Sequence, residues 1–257
     1  KLKYTVPEKV HTYTPGDQRS PSVTALSGGG FVVAYQSLDL SRMSYGISAQ
    51  RYDASGSPVG SEFFINETES GSQVDVRLAA LDNGGFAAVW SDSGNDGSGY
   101  GIFGRRFDAS GTAIDANDFQ VNSAISGTQA DAGITGLPDG GFIVTWTSAS
   151  ASGDTSSYGV AGQRFDASGN KIGTEFLVNT TTANQQKYPY VTALDDGDFV
   201  VAWGSDLQAG DNSELGVYAQ RFASPTPSGT VTATEHTVST VTGSTTGEAP
   251  FGSDVSF

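Results

Sequence analysis

Seven acidic side chains fall in stretches where the rest of the chain repeats but they do not: Asp39, Asp92, Asp96, Asp154, Asp206, Asp211 and Glu214. Carboxylates gathered in loops can do two kinds of chemistry. They can hold calcium, which takes six to eight oxygens from carboxylates, carbonyls and water, or they can accept hydrogen bonds from sugar hydroxyls. Tyr45, Tyr100, Tyr158 and Tyr188 stand near these loops and offer the apolar plane that a sugar ring needs. The run Asp92-Ser-Gly-Asn-Asp96-Gly97 begins like an EF-hand loop, but Gly94 stands at its third position and Phe103 at its twelfth, where oxygen ligands are required. Asp92, Asp96 and Asp211 are the metal candidates, against the commoner explanation that an acidic loop keeps a surface solvated.

What positions these loops is a repeat. Phe31, Phe86, Phe142 and Phe199 each open a short apolar run and lie 55, 56 and 57 residues apart. Gln18, Gln73, Gln129 and Gln186 keep the same step. So does the block Gln163-Arg-Phe-Asp-Ala-Ser-Gly169, with copies at Gln50–Gly56 and Arg105–Gly111 and a truncated one at Gln220–Ser224. Each unit reads as four strands. In the second, Val76–Leu81, Phe86–Ser91, Tyr100–Asp108 and Asp118–Asn122 are separated by Asp-Asn-Gly-Gly, an Asp/Gly-rich loop and Ala-Ser-Gly. Alternation puts Phe86, Ala88 and Trp90 on one face and Ala87 and Val89 on the other, both apolar, as sheets covered on both sides require.

Four such units around an axis predict an all-β, four-bladed β-propeller. Its blades fall near 18–66, 73–122, 129–179 and 186–224, over residues 1–224. Only three outer strands are evident, so Lys9–Tyr13, which precedes Gln18 as Glu175–Asn179 precedes Gln186, is expected to complete the last blade and close the ring. Residues 225–257, rich in Thr and Ser, are read as an extra rim strand, a linker or an arm for self-association.

Arg51, Arg106, Arg164 and Arg221 share one position in the repeat, as do Trp90, Trp146 and Trp203. The expectation is a structural frame: arginine stacked on indole and paired with the Asp two residues on, and the tryptophans in the core. Function then belongs to the unequal loops, all on one face.

Composition narrows the classes. A net charge of −15 and a pI near 4.2 argue against nucleic acid or anionic lipid as partner. There is no Cys, so disulfides and thiol chemistry are out, and no apolar run approaches the ~18 residues of a membrane span. Lys1 is not an initiator Met, which fits a processed or trimmed form. The two histidines, His11 and His236, lie outside the repeat interior, and the inner strands supply no carboxylate except Asp75 and Asp131 near their starts. Catalysis therefore has little support in the sequence.

The Gln-Arg-Phe-Asp-Ala-Ser-Gly block, the strand Glu175–Asn179 and the Gly-Phe-x-Val-x-Trp run at Gly141–Trp146 resemble repeats of large secreted bacterial proteins of the RTX adhesin and haemolysin type, over residues 9–224. The resemblance implies export, frequently by a type I system, calcium, and work outside the cell or at its surface. The Gly-Gly-x-Gly-x-Asp array of such proteins is missing. The reading is a noncatalytic extracellular module binding carbohydrate or a surface protein with calcium, with a filament subunit as the alternative and an exported glycan-active enzyme ranked last.

Overall fold

The computed structural model describes residues 8–12, 15–39, 43–154, 157–206, 215–223 and 232–234. They form four four-stranded antiparallel sheets, each one repeat unit. Blade 1 holds β1 (Gln18–Ala25), β2 (Phe31–Asp39), β3 (Ser44–Tyr52) and β4 (Pro58–Phe64); blade 2 holds β5 (Gln73–Ala80), β6 (Phe86–Ser93), β7 (Tyr100–Phe107) and β8 (Phe119–Gln120). Blade 3 holds β9 (Gln129–Gly136), β10 (Phe142–Ser148), β11 (Gly159–Phe165) and β12 (Lys171–Leu177). Blade 4 holds β13 (Gln186–Ala193), β14 (Phe199–Asp206), β15 (Leu215–Ala223) and β16 (Thr232–Thr234). The four-bladed propeller architecture is the one the repeat predicts.

Closure differs from expectation. The outer strand of blade 4 is β16, whose Thr234 pairs with Arg221, so a piece of the 225–257 segment is spent within the chain's own fourth sheet. The N-terminal segment lies on blade 1 instead: Thr12 donates its backbone N–H and hydroxyl to Glu62 at 2.9 and 2.6 Å, while Tyr13 and Asp211, Glu214 and residues 235–257 are outside the described residues. Inner strands pack in the order β1 on β5, β5 on β9 and β9 on β13. No comparable packing returns from blade 4 to blade 1 among the described residues.

Three apolar clusters fill the three boundaries that do form. Val32, Ala34 and Ile47 of blade 1 meet Phe86, Ala88, Trp90 and Phe107 of blade 2, and the same pattern recurs one and two repeats on. Trp90, Trp146 and Trp203 are core residues, as expected. Paired rings such as Phe86 on Phe107 at 4.8 Å and Phe142 on Phe165 at 4.7 Å link the middle strands where each hairpin leaves the sheet.

The repeated arginines work differently from the expectation. Arg51 donates to the carbonyls of Ala109, at 2.6 Å, and Ser110 in the Asp-Ala-Ser-Gly turn of the next blade, and Arg106 reaches Ala167 O at 2.9 Å in the turn after that. They are straps between blades, and no arginine–indole stack occurs among the described residues. Their carboxylate partners are Asp115 for Arg106, Asp139 for Arg164, and Asp196 with Asp198 for Arg221. The turn aspartates are otherwise engaged: Asp108 Oδ1 accepts from Ser110 N and Thr112 N at 2.8 and 2.9 Å, closing the turn on itself.

The recurring glutamines are explained as well. Asn66, Asn122 and Asn179 each accept from a backbone N–H of the third strand at 2.7 to 2.8 Å. Each then donates to Gln73, Gln129 or Gln186 of the next blade at 3.2 Å. These buried amide pairs fix the crossovers, since an unpaired amide there would cost its full desolvation.

Candidate active site

The inner strands carry a feature that side-chain alternation does not reveal. Each has a β-bulge at one register, and the residue there has positive φ without being glycine: Ser20 at 49°, Asp75 at 57°, Asp131 at 55° and Tyr188 at 59°. An L-residue in this conformation costs about 1–2 kcal/mol, and bulges re-aim side chains out of the strand's alternation. The strain is held by neighbours in the preceding blade. Asp75 N donates to Gln36 Oε1 at 2.9 Å and Tyr188 N donates to Thr147 Oγ1 at 3.0 Å.

Two of the four bulge residues are aspartates on adjacent, packed inner strands, β5 and β9. Burial pushes the Asp131 carboxyl above the ordinary aspartate range, and the Asp75 charge adds to the push. A hydrogen bond with Thr147 and the charges of Arg77 and Lys187 oppose it. Thr147 thus adjoins both elements, accepting from Tyr188 N and lying near enough to Asp131 to favour its ionised form. A depression of about 50 Å³ beside Asp131 is lined by Arg77, Ala132, Tyr188, Pro189 and Tyr190. Tyr188 and Tyr190 stand 57% and 69% exposed at its edge, and Lys187 Nζ sits 4.0 Å from the Tyr158 ring centre. A carboxyl held toward its protonated form beside a second carboxylate is an acid paired with an anion. With two open aromatic rings beside it, the arrangement suits a polyhydroxylated ligand with an apolar face.

The loop residues singled out from sequence are dispersed over the blades. Asp39 and Tyr45 share a cleft of about 650 Å³ on blade 1 with Glu62, Phe64 and Glu69, and the Arg19 guanidinium lies 4.2 Å from the Tyr45 ring centre. Asp92 is buried, accepts from Gln73 Nε2 at 3.1 Å and Asn95 Nδ2 at 2.5 Å, and is pushed up by burial. Asp96 and Asp154 are structural counterparts. Asp96 accepts from Ser98 N at 2.9 Å and Asp154 from Asn179 Nδ2 at 2.8 Å, and each fits only because a glycine faces it. A Cβ on Gly101 would lie 2.8 Å from Asp96 Oδ2, and one on Gly159 would lie 2.6 Å from Asp154 Oδ2. Tyr100 is half-buried at the start of β7, and Asp206 ends β14, its N–H bonded to Gln185 O at 2.9 Å. Among the described residues no three acidic, histidine or cysteine side chains gather as metal ligands.

No family model matches the sequence, and no curated protein matches it. Solved structures do. An α-L-arabinofuranosidase of Fusarium graminearum with an iminosugar inhibitor aligns at 12% identity and a TM-score of 0.62, over 91% of this chain and 69% of that one. An α-L-arabinanase of Penicillium chrysogenum with arabinobiose aligns at 13% and 0.56, over 87% and 67%. A thermostable family-43 glycoside hydrolase aligns at 10% and 0.52, over 87% and 76%. Identities this low establish the shared propeller fold. They also overturn the expectation of a noncatalytic adhesion module or filament subunit, because the propellers this chain is similar to are glycan-cleaving enzymes. The inner-strand carboxylates set aside in the sequence are, in addition, the residue type that such cleavage uses.

Proposed function

We propose that the protein cleaves glycosidic bonds in an exported setting, with Asp131 as general acid and Asp75 as its partner carboxylate. The observation that carries this reading is the pair itself: two strained aspartates at one register of adjacent inner strands, one of them held toward its protonated form by burial and by the other. Asp131 gives its proton to the leaving glycosidic oxygen as the bond to the anomeric carbon breaks, Asp75 supplies the negative charge against which positive charge develops on the sugar ring, and water adds to that carbon and returns a proton to the carboxylate pair. Tyr188 and Tyr190 orient the ring, and Thr147 holds Asp131 in place. The charges of Arg77 and Lys187, which oppose the rise of the Asp131 carboxyl, stabilise the carboxylate left when its proton is transferred.

The neighbours' ligands set the first substrates to try: arabinobiose and longer α-L-arabino-oligosaccharides, followed by a panel of neutral and uronic-acid oligosaccharides. Cleavage of one class, with loss of turnover in both Asp131→Asn and Asp75→Asn, is the expected result. A chain that cleaves nothing in the panel, or an Asp131→Asn variant with full activity, would sink the assignment.

A further inference from the structure

The boundaries between blades are built from one pair of unlike faces, used three times. The leading face of a blade offers small or β-branched side chains: Val32, Ala34 and Ile47 in blade 1, Ala87, Val89 and Ile102 in blade 2, Ile143, Thr145 and Val160 in blade 3, all buried. The trailing face of the next blade offers the large rings, such as Phe86 with Trp90 and Phe142 with Trp146. At the fourth boundary both halves are present and, among the described residues, both are more exposed than at the other three, although Tyr35, the counterpart of Trp90, stays buried against His11. On blade 4 the matching positions Val200, Ala202 and Ala219 are half-exposed, and Val217 is 79% exposed. On blade 1, Val23 is 64% exposed where its counterpart Leu78 is 9% exposed, and Pro21 is exposed where Val76, Ala132 and Pro189 are buried. Phe31 is half-exposed where Phe86, Phe142 and Phe199 are buried.

One polar feature marks the same boundary. Thr12 N bonds Glu62 just as Glu67 N and Thr68 N bond Asp118, and as Ser123 N and Ala124 N bond Glu175. Residues 8–12 therefore sit in the register of a crossover arriving from an upstream blade.

We propose that the slot between blade 4 and blade 1 seats one further four-stranded unit of this same repeat, joined in line through residues 8–12. A unit of the repeat carries one leading and one trailing face, so a single unit covers both open halves. A second copy of the chain, docking through either of its open ends, covers one half and leaves the other. In length the solved propellers exceed this chain by more than one repeat unit, since 91% of this chain maps onto 69% of the arabinofuranosidase and 87% onto 67% of the arabinanase. The exposed apolar surface on both sides of the slot is the driving force.

The test compares the 257-residue chain with a fused chain in which residues 73–118 are placed directly before Glu8, which puts Val10 in the register of Val121. The 257-residue chain should be monomeric by light scattering, bind a hydrophobic dye, and tolerate Val217→Glu or Val23→Glu without a change in Tm. The fused chain should lose most of the dye binding, gain several degrees in Tm, and become sensitive to both substitutions. An added unit that leaves dye binding and Tm unchanged, or that is digested by protease as a loose tail, overturns the proposal. So does a dimer of the 257-residue chain that Val217→Glu dissociates, because the slot is then a face between copies.

Discussion

Asp108, at the hairpin tip of blade 2, and Asp131, on the inner strand of blade 3, are the same residue in opposite surroundings. Asp108 sits in a surface turn, and bonds from Ser110, Thr112 and its own turn hold its carboxyl below the ordinary range; Asp53 and Asp166 behave alike. Asp131 is pushed the other way by burial and by Asp75. The turn aspartates satisfy local backbone and belong to the frame, while the inner-strand pair is under strain in both backbone and charge. In a chain of net charge −15, position relative to the fold separates acidic residues that build from those that could react.

The sharpest way to break this contrast is to remove each charge without changing shape. Asp131→Asn should lower kcat/KM on the cleaved oligosaccharide by roughly 10²–10⁴-fold, the share a general acid supplies. Its Tm should hold or rise, because a buried charge has become an amide. Asp108→Asn should leave kcat/KM within a factor of about two and lower Tm by at most about 2–4 °C, the response to a small surface loss in a chain of this size. If both variants change only Tm, the inner pair is structural too.

Acidity gives the second test, because the two sets act with opposite sign. The turn aspartates have depressed folded values, so the stability they contribute is present above the unfolded aspartate value of about 3.9 and is lost as pH falls through their folded values. Asp131 has a raised folded value, so its contribution is full below about 3.9 and is lost as pH rises from there through the folded value. A Tm profile against pH should therefore decline at the acid end in both wild type and Asp131→Asn, and the variant should lack part of the decline on the alkaline side. Turnover should fall over that same alkaline window as the acid loses its proton.

Much of this frame is legible in the sequence because a 55–57-residue step repeats every apolar and turn position at once. The tryptophan core follows from residue type alone. The arginine straps do not, since their acceptors, Ala109, Ser110 and Ala167, are backbone carbonyls a full repeat away and leave no trace in side-chain identity. The inner site is hidden for a related reason. Strand alternation places Asp75 and Asp131 by parity, and a bulge with positive φ breaks parity without requiring glycine. One signal was available: of all the inner-strand carboxylates the repeat could carry, two fall at one register in successive copies.

A smaller effect sharpens the reading of the cations. Arg77 opposes the rise of the Asp131 carboxyl more than Lys187 does. Arg77→Gln should move the alkaline limb of the kcat/KM profile to higher pH, and Lys187→Gln should move it less, with the plateau rate retained in both. A plateau that drops without a shift in the limb would make Arg77 a substrate contact and remove it from the tuning of Asp131.

The smallest expected effect separates strain from chemistry. Glycine at a positive-φ position relieves about 1–2 kcal/mol of backbone strain, and its freedom in the unfolded chain takes back roughly 0.4–1 kcal/mol. Ser20→Gly should therefore stabilise the protein by about 0.5–1 kcal/mol, read in urea unfolding, and leave turnover intact, because the blade 1 bulge carries no carboxylate. Asp75→Gly relieves the same strain at the same register and should abolish turnover. If the two variants prove equally harmless to turnover, the bulge is a packing device common to all inner strands and the carboxylates ride on it by accident. If only Asp75→Gly is inactive, the strained geometry is general to the repeat and the chemistry comes from what two of its four copies place there.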